Sequence, residues 1–187
     1  KLRRYGSFQT GYSSEMVLAT PAIRVSEMRF TGGIKFHDNG TMFRDPGPGK
    51  QYVGRPSTDI DAAWDDLIGT RYLAFTDDQK SSFQVDMDRD DEDGLYRAGP
   101  DVLHSLHCVN KLRQTIDGYL YKIPDQVDET FNNVIHVEHC LDFLRQLVQC
   151  TSDLTPIPLV YSKGAGFVIP DFEQVHTCRS FDPIREW

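Results

Sequence analysis

The sequence predicts an α+β protein in which short strands and loops of the N-terminal part pack on an antiparallel helical hairpin. Three observations lead there. Before residue 100 every apolar stretch is short and bounded by turn clusters such as TGGIKFHDNGT at 31–41 and RDPGPGK at 44–50, the texture of strands and loops. After residue 100 apolar residues recur at helical spacing in two blocks, broken only around YKIPDQ at 121–126, where Pro124 disfavours the α-region for Ile123. With 187 residues, 39% hydrophobic and eleven Phe among them, the chain has apolar mass for one core, so 23–187 is read as a single domain after a linker at 1–22.

Taken in order, IRVSEMRF at 23–30 alternates and is read as a strand. PSTDIDAAWDDLIG at 56–69 is a helix: Ser57 or Thr58 caps it, acidic residues fill the first turn, Ile60, Ala63, Trp64 and Leu67 share one face, and Gly69 ends it. The acidic run DMDRDDEDG at 86–94 fails as a calcium loop, because counting back from Gly94 puts Arg89 at the first ligand position and Pro100 where the closing Glu belongs. It is read as a solvated loop. A helix then starts at Asp101, available as a cap after Pro100, with Val102, Leu103, Leu106, Val109, Leu112, Ile116 and Leu120 as its apolar positions. Val127, Phe131, Val134, Ile135, Leu141, Leu144, Leu147 and Val148 mark a second helix. Beyond Cys150 the Pro- and Gly-broken TPIPLV and GAGFVIP are extended, and DPIREW at 182–187 restarts a helix on Asp182 and Pro183.

The chemistry concentrates in the two helices. HSLHC at 104–108 returns as HVEHC at 136–140, using four of the six histidines and two of the four cysteines. Residues three and four apart share a helical face, so His104, His107 and Cys108 project together, as do His136, His139 and Cys140. In an antiparallel hairpin centred on Ile123, His107 and His139 are equidistant from the turn and stand side by side. Four such imidazoles without a metal would repel on protonation and lose hydration when neutral. A metal is the better account. Glu138 lies two positions from His136 and points away from the histidine face, which disfavours a carboxylate-rich di-iron site, and HVEH has neither the spacing nor the order of a zinc peptidase motif. Imidazoles without carboxylates suit copper, with zinc the rival; thiolates from Cys108 and Cys140 would move the balance towards zinc or Cu(I).

Charge and composition exclude other classes. A formal charge of −8 and a pI near 5.1 argue against nucleic acid as a partner. Asn39 in NGT is a glycosylation acceptor, and an even number of cysteines permits two disulfides, both at home in a secretory lumen. Cys140 and Cys150 are about 15 Å apart along a straight helix and cannot bond. The favoured pairs are Cys150–Cys178 and Cys108–Cys140; Cys108–Cys150 with Cys140–Cys178, or thiolate ligation, stay open. His176, beside Cys178, is assigned a structural role, capping or bonding a loop carbonyl, rather than metal ligation.

The doubled HSLHC and HVEHC, with HCLDFLRQ, YVGRPSTDIDAAWDDL and the closing HTCRSFDPIREW, resemble the UstYa-like proteins of fungal secondary-metabolite biosynthesis over roughly residues 20–187. The resemblance implies a lumenal domain behind an N-terminal membrane anchor, which fits the start KLRRYGSF without Met. It implies copper as cofactor and dioxygen as co-substrate. It implies oxidative tailoring of a small-molecule or peptide natural product by cyclisation, hydroxylation, desaturation or chlorination, and association with itself or with related family members. Metal ligation carries over to His104, His107, His136 and His139. The expected activity is therefore a copper-dependent oxidase, with a non-catalytic copper- or zinc-binding accessory module as the alternative.

Overall fold

The computed structural model describes residues 5–120, 133–164 and 166–178. In chain order its elements are β1 (Gly6–Ser7), β2 (Gly11–Tyr12), a 3-10 helix (Val17–Ala22), β3 (Ile34–Phe36), β4 (Met42–Arg44), α1 (Thr58–Ile68), β5 (Leu73–Phe75), α2 (Asp77–Lys80), β6 (Tyr96–Pro100), α3 (Asp101–Leu120), α4 (Asn133–Thr151), β7 (Pro156–Ser162) and β8 (Phe167–Pro170). Helices and antiparallel strands are both present, the α+β class. The expected turn of the hairpin, within 121–132, and the expected helix at 182–187 lie outside the described residues.

The chain divides into two compact units, one of Lys1–Ser26, Tyr72–Asp101 and Asp153–Trp187, the other of Glu27–Arg71 and Val102–Ser152. The first is built on a four-stranded antiparallel sheet in the order β5-β6-β7-β8, registered through Ala74↔Arg97, Ala98↔Pro158 and Val160↔Ile169. Its core is Met16, Phe75, Met87 and Ala98. The acidic stretch runs beside this sheet as a loop tied down by Arg97, which pairs with Asp90 and Asp93 at 3.0 and 2.7 Å.

The second unit carries both His-x-x-His-Cys motifs. Its centre is Trp64 of α1, fully buried, with the indole N–H donating to the Tyr52 carbonyl at 2.8 Å. Val53, Ile60, Leu106, Val109 and Leu141 close around it, so α1, α3 and α4 share one apolar cluster. The α1 ends follow the sequence: the Ser57 hydroxyl accepts from the Ile60 N–H at 3.3 Å, and Gly69 closes the helix at φ 53°. The β3–β4 hairpin packs against α4, and its turn displays Asn39 to solvent.

One expectation needs correction. Residues 23–30 form no strand. The backbone just beyond them takes its hydrogen bonds from a helix side chain and from the β4 end rather than from a neighbouring strand: Gln146 holds both the N–H and C=O of Thr31, and the Gly32 N–H donates to the Asp45 carbonyl. The apolar stripes on the long helices are only partly buried. Leu106, Val109 and Leu141 are in the core, but Leu112, Leu144 and Leu147 are exposed, and Asn110, Arg113, Asp117, Asp142, Arg145 and Gln146 occupy the inner faces instead. Those polar groups are inside because they satisfy one another.

Candidate functional site

On α3 the rings of His104 and His107 are half-buried with centroids 6.2 Å apart, and Cys108 Sγ lies 3.4 Å from His104 Nε2. On α4 the centroids of His136 and His139 are 6.5 Å apart, with His136 exposed and His139 half-buried. At metal–nitrogen distances of about 2.0–2.1 Å, two imidazoles sharing one ion have centroids at most about 6.4 Å apart. The His104–His107 pair falls just inside that limit and the His136–His139 pair just outside it.

The protonation states suit ligation. Burial, followed by the charges of Arg71, Lys111 and His104, holds the His107 pKa below its ordinary value, which favours the neutral imidazole a metal needs. His139 Nδ1 lies 2.9 Å from the Gly32 carbonyl oxygen. A carbonyl can only accept, so Nδ1 carries a proton and Nε2 is the nitrogen left to face a metal. This is the arrangement by which metal-ligating histidines are usually held, the second nitrogen donating to a backbone carbonyl. By donor type the residues fit a late first-row metal at the level of each pair.

All four imidazoles do not converge. Among the described residues no group of three or more His, Cys, Asp or Glu side chains stands close enough together to hold a metal. The reason is the alignment of the helices. Glu138, next to His139, lies within electrostatic range of Asp117 in α3, whereas His107 sits ten residues before Asp117, about 15 Å at helical rise. The midpoint reckoning set His107 beside His139, but it is Asp117 of α3 that lies near Glu138. Glu138 pairs with Arg44 at 3.7 Å.

The expected bonds Cys108–Cys140 and Cys150–Cys178 are not formed: all four cysteines are unbonded and exposed. On α3 the Cys108 sulfur turns to the histidine one helical turn before it instead. His176 is bonded to a carboxylate, with Nδ1 2.9 Å from Asp153 Oδ2, rather than to the loop carbonyl expected. Burial works against the charged form of Asp153, but the Thr155 N–H and the His176 ring outweigh it and hold its carboxyl below the usual range.

Sequence reading missed the residues that support the motifs. Arg113, almost wholly buried, bonds Asn110 at 2.9 Å, Asp117 at 3.1 Å and Asp61 of α1 at 2.6 Å. Asp142 accepts from Arg145 at 2.8 Å and from Arg44 at 3.4 Å. The available signal was a polar residue at a core spacing: Asn110, Arg113 and Asp117 fall at i, i+3 and i+7, and Asp142 and Gln146 at i and i+4.

These elements define an α+β protein whose two long helices each present a pair of imidazoles. The chain belongs to the UstYa family: the family model described as "Mycotoxin biosynthesis protein UstYa" matches residues 9–187. It is 34% identical over its whole length to the UstYa family oxidase phomYd of Diaporthe leptostromiformis, covering 65% of that protein. It is 31% identical to phomYc of the same fungus, over 73% of this chain and 57% of the relative. With the UstYa family oxidase aprY of Aspergillus flavus it shares 30% identity over 80% of this chain and 49% of the relative. The chain thus spans between about half and two thirds of the length of these relatives. No solved structure matches.

Proposed function

We propose that this chain is the catalytic part of a copper-dependent oxidase that acts on a C–H bond of a fungal secondary metabolite, with His104, His107, His136 and His139 as the copper ligands. The observation that carries the reading is the doubled pair of imidazoles, one ring held through Nδ1 by the Gly32 carbonyl, on a chain whose relatives are named oxidases. Bound copper would supply one-electron chemistry towards dioxygen, the co-substrate, and so support cyclisation, hydroxylation, desaturation or chlorination. The chain's own part is to favour the neutral form of His107 through burial and to orient His139 through the Gly32 carbonyl. The substrate is a peptide or small-molecule natural product, and the expected partners are further copies of this chain or related family members. Secretion into a lumen behind a membrane anchor is part of the same proposal, supported by the exposed acceptor Asn39; among the described residues no helix is long and apolar enough to cross a membrane.

The test is metal analysis and turnover of the pathway intermediate by the wild type, His107→Ala and His139→Ala. The reading expects copper in the wild type, loss of the copper held by the substituted pair, and loss of product in each variant. Full copper with unchanged turnover in both variants would sink it. Zinc in place of copper, with no turnover, would favour a non-catalytic metal-binding module.

A further inference from the structure

The turn that leads into β3 is attached to α4 at three points. Gln146 uses both ends of its amide on one residue, accepting from the Thr31 N–H at 2.8 Å and donating to the Thr31 C=O at 3.0 Å. The next residue, Gly32, accepts from His139 Nδ1 at 2.9 Å. Gln146 and His139 are seven residues apart, two helical turns, and therefore lie on the same face of α4. Gln146 is itself buried and held by the Asp142 carbonyl at 3.2 Å, so the amide has a fixed orientation.

Residue 32 has to be glycine for two separate reasons. Its φ is +78°, a conformation that L side chains rarely adopt, and a Cβ there would stand 2.5 Å from Asp142 Oδ2 and 3.1 Å from a nitrogen of Arg44. Asp142 cannot retreat, because Arg145 and Arg44 both hold it. The apolar contact nearby is Phe30, edge-on to Phe143 of α4 with ring centroids 5.6 Å apart; what the approach of residue 32 itself delivers is a carbonyl oxygen at His139 Nδ1.

We propose that the Thr31–Gly32 turn, clamped by Gln146, is a positioning device that fixes His139 in the Nδ1–H tautomer and presents Nε2 as a metal donor. The inference rests on the metal role proposed above for His139. Gln146, Thr31 and Gly32 touch neither metal nor substrate; they act through the imidazole. Loss of such a supporting bond lowers metal affinity about 10–100-fold.

The experiment reads the tautomer first, in metal-free protein, from the nitrogen chemical shifts of ¹⁵N-labelled imidazoles, with His139→Ala to assign the signal. The wild type should show His139 protonated at Nδ1. Gln146→Ala should show a mixture shifted towards Nε2–H and a copper affinity lower by about 10–100-fold in a chelator competition. Gln146→Glu, which keeps the acceptor for the Thr31 N–H, should fall between. A wild-type His139 protonated at Nε2, or a Gln146→Ala protein with unchanged tautomer and copper affinity, would overturn the proposal, and the first of these needs no variant to fold. Failure of the parent reading looks different: His139→Ala would then bind copper as tightly as the wild type, whatever the tautomer.

Discussion

Replacing Arg113 by Met is the perturbation that most directly tests how the motif-bearing helices are held. The guanidinium is 2% exposed and joins α3 to itself through Asn110 and Asp117 and to α1 through Asp61. Met fills much of the volume but leaves Asp117, 8% exposed, without its cationic partner. Breaking a buried ion pair from one side costs about 3–5 kcal/mol, a large fraction of the roughly 5–15 kcal/mol that keeps a domain folded. The pH dependence gives the assay its discrimination. Burial pushes the Asp117 carboxyl up, opposed by Arg113 and assisted by Glu138 and Asp61. The native state therefore holds the Asp117 proton to higher pH than the unfolded chain does, so ionising this group costs stability as pH rises through the raised pKa. Without Arg113 that cost grows. The variant's deficit, measured by urea unfolding, should be full at neutral pH and shrink as pH falls towards the ordinary carboxylate range. Adding Asp117→Leu should recover most of it, since the uncompensated charge is gone. A loss under about 1 kcal/mol at neutral pH, or one independent of pH, would refute the assignment of Arg113 as the counterion of a buried carboxylate.

Other outcomes follow from single contacts. Trp64→Ala should destabilise by about 3–5 kcal/mol, since the indole is fully buried and its N–H is bonded, and a thermal unfolding series with Trp64→Phe should place the smaller change between. Ser57→Ala removes the α1 cap and should cost about 1 kcal/mol in urea, with Ser57→Asp largely neutral. His176→Ala should leave copper content unchanged and remove part of the stability that Asp153 contributes. Because the Asp153 pKa is lowered, that contribution is present above its unfolded value and is lost as pH falls through the native one, so the two proteins should converge in acid. Copper loss as complete as that expected of His107→Ala would make His176 a ligand.

What the sequence determined by itself was local. The cap at Ser57, the stop at Gly69, the helix from Asp101 and the extended segments around Pro156 and Phe167 were legible because each depends on neighbours a few residues away. The doubled motif was legible for the same reason, since i, i+3 and i, i+4 spacing alone puts His104 with His107 and His136 with His139. Tertiary structure decided the rest. That β5 and β6 share a sheet with β7 and β8, across the two long helices in sequence, depends on pairing between distant segments. Asp117 of α3 lies within electrostatic range of Glu138 of α4, an alignment that no count from the turn contains. Nor does spacing reveal that Gly32, 107 positions before His139, supplies the carbonyl that fixes its proton. A helical period states which side chains share a face; which backbone reaches that face is a matter of long-range packing, and here it required a residue with no Cβ.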